Sequence, residues 1–269
     1  MAVIIIIIIL LLTLYVLSVM GRTGHQGLSA LRGWAYAHRG LHGNGVPENS
    51  MEAFRRAKAA GYGVELDVHL LADGNLAVIH DSMLARTTGA QGCIEDLTTR
   101  QLKDYHLEGT QETIPQLGEV LKLFAGDAPL VVELKAVKDN VDALCEAACR
   151  MLDGYHGAYC VESFDPRCVY WLRKNRPDII RGQLTENYFA TKGSKLPWIL
   201  KFALKNQMLN FITMPDFVAY RYKDRKTLSN FICRKFWNVQ GVTWTVKNRE
   251  EFDTAVSEGW IPIFEDFCP

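Results

Sequence analysis

The chain has no surplus of charge: 30 Lys and Arg residues offset 30 Asp and Glu, for a formal net charge of zero. A nucleic-acid partner calls for a basic excess, so composition gives that class no support. A disulfide framework is missing too. The seven cysteines are odd in number and lack paired spacing, in agreement with reduced thiols. Cys145 and Cys149 stand at i, i+4, which suits two small buried residues on one helix face better than a metal pair. One long stretch lacks charge altogether. Residues 2–20 hold none, and isoleucine fills every position over 4–9. As a helix this stretch would rise about 28 Å, close to the ~30 Å bilayer core. No Lys or Arg precedes it and no small-x-small site follows it. A retained transmembrane helix over 1–20 is therefore expected, rather than a cleaved signal peptide. Arg22 and Arg32 just beyond it favour a cytoplasmic side for the rest of the chain.

Residues 21–33, with Gly21, Gly24, Gly27 and Gly33, read as a short linker. From 34 to 269 short apolar runs alternate with helix-like stretches, the pattern of parallel βαβ units. Runs lie near 35–38, 63–70, 130–134, 158–162, 180–184, 216–220, 241–246 and 261–264. Their number and the length of the segment match a closed (β/α)8 barrel of the α/β class, in one domain. Helix signals include Asn49 with Glu52 and Thr98 with Gln101 at capping-box spacing. Gly61 serves as a stop. Pro115 opens a helix carrying Leu117, Val120, Leu121 and Phe124.

One connection has no room for a helix. Val64-Glu65-Leu66-Asp67-Val68-His69-Leu70 alternates apolar and polar, Asp73-Gly74 follows, and then Leu76-Ala77-Val78-Ile79-His80. Asp-Gly between such runs is a hairpin signal. With Asp73 and Gly74 as the two loop residues, Asp67 faces His80, and Glu65 shares their side of the sheet. A slip of one residue would turn His80 away from both carboxylates.

The chemistry-bearing residues fall at strand ends, where barrel active sites are built. His38-Arg39-Gly40 closes the first run and sets a proton donor or acceptor beside a permanent cation. Glu133, with Lys135 on the same face, closes the third. Glu65, Asp67 and Glu133 together form an oxygen-rich set suited to Mg²⁺ or Ca²⁺, and less to zinc. The competing structural reading, a set of barrel salt bridges, has to overcome a desolvation cost of several kcal/mol per ion.

His38-Arg39-Gly40, Pro47-Glu48-Asn49-Ser50, Glu65-Leu66-Asp67-Val68, Asp73-Gly74, His80-Asp81 and Glu133-Leu134-Lys135 occur in an order that resembles the glycerophosphodiester phosphodiesterases. Ser163-Phe164-Asp165 and Trp244-Thr245-Val246 extend the resemblance from about residue 35 to the C-terminus, while Phe264-Glu265-Asp266 departs slightly from the usual family ending. The resemblance implies a (β/α)8 barrel. It also implies metal-dependent hydrolysis of glycerophosphodiesters to glycerol 3-phosphate and an alcohol, in phospholipid degradation. It assigns one divalent cation to Glu65, Asp67 and Glu133, and the acid–base pair to His38 and His80. Phosphate contacts fall to Arg39 and Lys135, and a wall of the glycerol pocket to Trp244. Glu48 and Asn49 suit loop ordering or capping as well as catalysis, and Asp81 suits holding the hairpin or orienting a neighbour.

Two other functions compete: a lysophospholipase D acting on membrane lysophospholipids, and a catalytically silent barrel that binds a lipid head group. Residues 188–214, with Trp198, Phe202 and Phe211 among lysines, read as an active-site loop and an outer-ring helix in preference to a segment that dips into a membrane.

Overall fold

The computed structural model describes residues 1–191 and 195–269. Its strands are β1 (Tyr36–His38), β2 (Gly63–Leu70), β3 (Leu76–Val78), β4 (Leu130–Leu134), β5 (Tyr159–Ser163), β6 (Arg181–Thr185), β7 (Phe217–Arg221), β8 (Gln240–Val246) and β9 (Trp260–Phe264). All but β3 run parallel, and β1 pairs with both β2 and β9, which closes an eight-stranded (β/α) barrel. The eight apolar runs read from the sequence are these eight strands, each within a residue or two. β3 is appended antiparallel to β2.

The helices are α1 (Ala2–Ser18), α2 (Met51–Ala59), α3 (Ala85–Thr88), α4 (Leu117–Phe124), α5 (Val141–Leu152), α6 (Pro166–Asn175), α7 (Trp198–Lys205), α8 (Asn210–Thr213), α9 (Leu228–Phe231) and α10 (Arg249–Ser257). Ser50, one residue after the expected Asn49, caps α2 by accepting from the Ala53 amide at 3.1 Å. Thr98 and Gln101 do form a capping box, on a 3₁₀ turn. Gln116 and Glu119 form another on α4, so Pro115 lies just outside that helix instead of opening it. Leu117, Val120, Leu121 and Phe124 are its buried face, as expected.

Strand alternation sorts the interior. Val64, Leu66 and Val68 of β2, and Leu130, Val132 and Leu134 of β4, pack outward against Phe54, Phe124 and Leu144 of the helices. The inward positions change character along the barrel axis. Tyr36 and Phe217, the first residues of β1 and β7, form an apolar floor with Val131 and Ile263. Gly182 makes room for it, since a Cβ there would sit 2.1 Å from the Phe217 ring. Residues 21–33 close the floor from below: Leu28 and Leu31 are buried, and the Tyr36 hydroxyl donates to the Leu31 carbonyl at 2.9 Å. Toward the carboxyl ends the inward residues turn acidic.

The hairpin differs from expectation by one residue. Val68 faces Val78 and His69 faces Ala77, so Asp67 stands opposite Ile79, whose amide donates to its carbonyl at 3.0 Å. The loop is five residues, 71–75, with the Leu71 amide bonded to the Asn75 carbonyl at 2.8 Å. Asp73 does not act as half of a two-residue turn. Its carboxylate caps the Asn75 and Thr99 amides, and that bonding favours the longer loop.

α1 holds to the barrel by its last turn only. Val19 is buried and the Trp237 indole donates to the Val16 carbonyl at 2.8 Å, whereas the apolar side chains of residues 3–12 are all exposed. The helix is 17 residues long, about 26 Å, and shorter than the span expected over 1–20. Among the described residues no helix is long and apolar enough to cross a membrane. All seven cysteines are free, with Cys145 and Cys149 buried on α5. Of the segment 188–214, residues 192–194 lie outside the described ones; α7 buries Leu204 and leaves Trp198, Ile199 and Phe202 exposed.

Candidate active site

Register alone gathers the acidic residues. His38 of β1 is level with Glu65 of β2, Asp67 with Glu133 of β4, and Glu133 with Glu162 of β5. Ligand oxygens of Glu65, Asp67 and Glu133 all lie within 4.8 Å of one another, and all three residues are buried. Lys135 bridges two of them, its Nζ 2.9 Å from Asp67 Oδ1 and 2.7 Å from Glu133 Oε1. Arg39 lies on the other side, with Nε 3.4 Å from Asp67 Oδ2 and its backbone amide donating to Glu65 Oε2 at 3.1 Å. Gly40, at φ +79°, lets the chain turn there against Ala53 of α2.

Burial and mutual repulsion decide the protonation of this cluster. Burial, with Asp67 and Glu133 as neighbours, raises the Glu65 carboxyl well above the usual range. Burial pushes Glu133 up to about 7 against the opposing pull of Lys135. Burial would raise Asp67 as well, but Lys135, His80 and Arg39 outweigh it and hold that carboxyl well below its usual range. Glu162 is raised well above by burial and by Glu133, and its Oε2 has no hydrogen-bond partner. The cluster is short of positive charge. Three convergent hard oxygens and an orphaned carboxylate beside them fit a divalent cation.

Both histidines reach the cluster. His38 Nε2 is 3.8 Å from Glu65 Oε2, and burial lowers its pKa. His80 arrives by a different route from the one expected. β3 ends at Val78, so the one-residue slip does not propagate, and the free chain turns His80 back to where Asp67, Lys135 and Arg39 act on it. Burial lowers its pKa to about 4. Asp81 engages its Nδ1 at 2.6 Å, and His69 Nε2 lies 3.1 Å from its carbonyl.

Several residues of the site were given no firm site role from sequence. Asn49, in a left-handed conformation, donates to Asp67 Oδ2 at 2.8 Å and so serves the acidic cluster instead of the helix. Glu48 receives Arg39 at 3.0 Å and Arg86 at 2.6 Å. His69 follows Glu65 and Asp67 on the inward face of β2, and the same alternation could have found it. Glu265 and His42 lie beside His38. These two with His38 form a second trio close enough for one ion, but Lys247 Nζ already pairs with Glu265 at 2.9 Å. A cleft of about 650 Å³ opens over the cluster, lined by His80, Glu133, Lys135 and Phe164. Trp244 stands one ring back from it, edge-on to Phe164 at 5.5 Å.

Comparisons agree with this geometry. The family model described as glycerophosphoryl diester phosphodiesterase family matches residues 38–268. A glycerophosphodiester phosphodiesterase of Bacillus altitudinis is 43% identical over 107 residues, which is 37% of this chain and 43% of that protein; the aligned part spans less than half of its length. One from Caldanaerobacter subterraneus is 29% identical over 245 residues, covering 86% of this chain and 92% of the relative. Among solved structures, a putative glycerophosphoryl diester phosphodiesterase from Silicibacter pomeroyi superposes with TM-score 0.73 at 24% identity, covering 91% and 95% of the two chains. An Oleispira antarctica phosphodiesterase in complex with the product sn-glycerol-3-phosphate gives 0.72 at 22%, covering 90% and 95%. With its family motifs spread over the whole barrel and gathered at one mouth, the chain belongs to the glycerophosphoryl diester phosphodiesterase family.

Proposed function

We propose that this chain hydrolyses glycerophosphodiesters to glycerol 3-phosphate and an alcohol, in phospholipid degradation, with one divalent cation, Mg²⁺ or Ca²⁺, at Glu65, Asp67 and Glu133. The observation that carries the reading is the convergence of those three buried carboxylates beside two imidazoles. The product named for the Oleispira structure points to the same substrate class. When bound, the cation supplies charge to offset the negative charge that grows on the phosphoryl oxygens. Arg39 and Lys135 add two fixed cations at the same place. Lowered pKa values leave His38 and His80 uncharged near neutrality, ready to accept a proton. The neutral one takes a proton from the attacking water or neighbouring substrate hydroxyl; the other takes up a proton as the anionic substrate binds and gives it to the departing alkoxide. Asp81 occupies Nδ1 of His80, which leaves Nε2 as the ring nitrogen for transfer. Phe164, backed by Trp244, walls the glycerol end of the cleft.

We also read α1 as a membrane attachment, because exposed Ile and Leu side chains cover every face of it over residues 4–12. Arg22 and Arg32 beyond it favour the cytoplasmic side for the barrel. A second reading, lysophospholipase D action on membrane lysophospholipids, is favoured by exposed Trp198, Ile199 and Phe202 on α7. Turnover of glycerophosphocholine and of lysophosphatidylcholine, each with Mg²⁺, Ca²⁺ or chelator, separates the possibilities. Metal-dependent release of glycerol 3-phosphate from the first supports the main reading. Turnover of the second alone supports the other enzyme, and turnover of neither leaves a head-group binding barrel.

A further inference from the structure

The direction in which α1 leaves the barrel bears on where substrate is met. Arg22, just past the helix, pairs with Asp216 at 2.5 Å and donates to the Ile179 carbonyl at 3.1 Å. Both partners lie just before the amino ends of β7 and β6. Tyr15, two turns back, comes within hydrogen-bonding reach of Ser229 on α9 and acts on Tyr220, next to the carboxyl end of β7. Followed toward its own N-terminus, α1 therefore climbs the outside of the barrel toward the carboxyl ends of the strands. That is the end holding the acidic cluster, and the exposed residues of α1 project on that side.

α7 lies at the same rim. Its Leu204 carbonyl accepts from Thr185, the last residue of β6, and its Lys205 carbonyl from the Tyr220 hydroxyl, each at 2.9 Å. Just past the end of α7, the Gln207 side-chain amide donates to Asn230 of α9 at 2.5 Å. Large apolar side chains are exposed on these elements, Trp198, Ile199 and Phe202 of α7 and Leu228 and Phe231 of α9, as is Phe189 ahead of α7, at 49–69%. Monomeric proteins seldom expose so many together without a partner. Charge selects the partner. Segments 195–213 and 225–237 carry seven Lys and Arg residues and no Asp or Glu.

We propose that this rim is a membrane-docking surface, which seats those six apolar side chains in the interface of a bilayer containing anionic lipid and turns the catalytic cleft toward it. An apolar patch flanked by two segments rich in Lys and Arg, together with a helix whose residues 3–12 are all apolar and exposed, matches a lipid interface. Tryptophan at the polar–apolar boundary has the same preference. The proposal rests on α1 being the membrane attachment, and the test separates the two.

Trp198 is the exposed member of the six tryptophans. Full-length protein is mixed with vesicles of phosphatidylcholine and phosphatidylglycerol, with or without bromine on the acyl chains, and flotation is recorded beside tryptophan quenching. The expected result is flotation, with quenching by bromolipid that is mostly lost in Trp198→Phe. Flotation with equal quenching in wild type and Trp198→Phe overturns the docking surface and leaves α1 as the anchor. Flotation without quenching, in a protein that dimerises through the patch, overturns it in favour of a second copy of the chain. Failure to float overturns the α1 reading and the docking surface together.

Discussion

His38 and Glu265 face each other across the seam where β1 meets β9, with His38 Nδ1 3.5 Å from Glu265 Oε2. Burial works against the Glu265 charge, but His38, His42 and Lys247 hold its pKa far below the usual range, so it stays ionised. That charge opposes the burial and the Arg39 field that lower the His38 pKa. Glu265→Gln removes it. The limb of the pH–rate profile that belongs to His38 should move to lower pH, and kcat should fall by less than the about 10²- to 10⁴-fold that general acid–base catalysis contributes. A profile unchanged in position and height would mean that Glu265 does not act through His38.

Removing either imidazole should be costlier. His38→Ala and His80→Ala are each expected to lower kcat about 10²- to 10⁴-fold with the fold intact. The check is turnover of glycerophosphocholine alongside circular dichroism of the same samples. Near-native turnover in one variant would remove that residue from the proposed acid–base pair.

Glu133 ties stability to pH. Its carboxyl is near 7 in the folded protein, against about 4.5 in an unfolded chain. A group raised in this way contributes stability below its unfolded value and loses it as pH rises through the folded one. His80, lowered to about 4, acts the other way, but its effect is complete once pH passes its ordinary value of 6.5. Metal-free protein should therefore lose stability between about pH 6.5 and 7.5, and Glu133→Gln should reduce that slope. Thermal unfolding in chelator across this window measures it. Binding of the cation near pH 6 should release protons, visible as a buffer-dependent enthalpy.

The barrel floor offers a test of packing apart from chemistry. Gly182→Ala would press a methyl group into the Phe217 ring, and overpacking of this kind lowers stability by about 1–3 kcal/mol. Gly182 and Phe217 are not among the residues that would hold the cation, so turnover per folded molecule should be retained. Denaturant melts paired with active-site titration would show both, and an undiminished melt would mean that the floor yields more easily than its geometry implies.

Much of this architecture was legible in the sequence because strands buried on both faces leave contiguous apolar runs. Where an inward position turns acidic, as at Glu65, Asp67 and Glu133, the exception marks the site. The hairpin was misjudged because Asp73-Gly74 has the composition of a two-residue turn, while the bonds that set the register come from Asn75 and Thr99. His80 reached the right place all the same, since β3 stops short of it. Glu265 and Glu162 were given no site role, and Asn49 an undecided one, for another reason. Glu265 and Glu162 matter through contacts made across barrel closure or between strands, which no local pattern records. Asn49 matters through a left-handed backbone that turns its amide to Asp67 instead of the helix.

The central claim is that Glu65, Asp67 and Glu133 hold one divalent cation between them. Calorimetric titration of purified, chelator-treated protein with Ca²⁺ or Mg²⁺ addresses it most directly. One ion should bind per chain, and none should bind to Asp67→Asn or Glu133→Gln at concentrations that saturate the wild type. Absence of binding to the wild type, or equal binding to the variants, would contradict it.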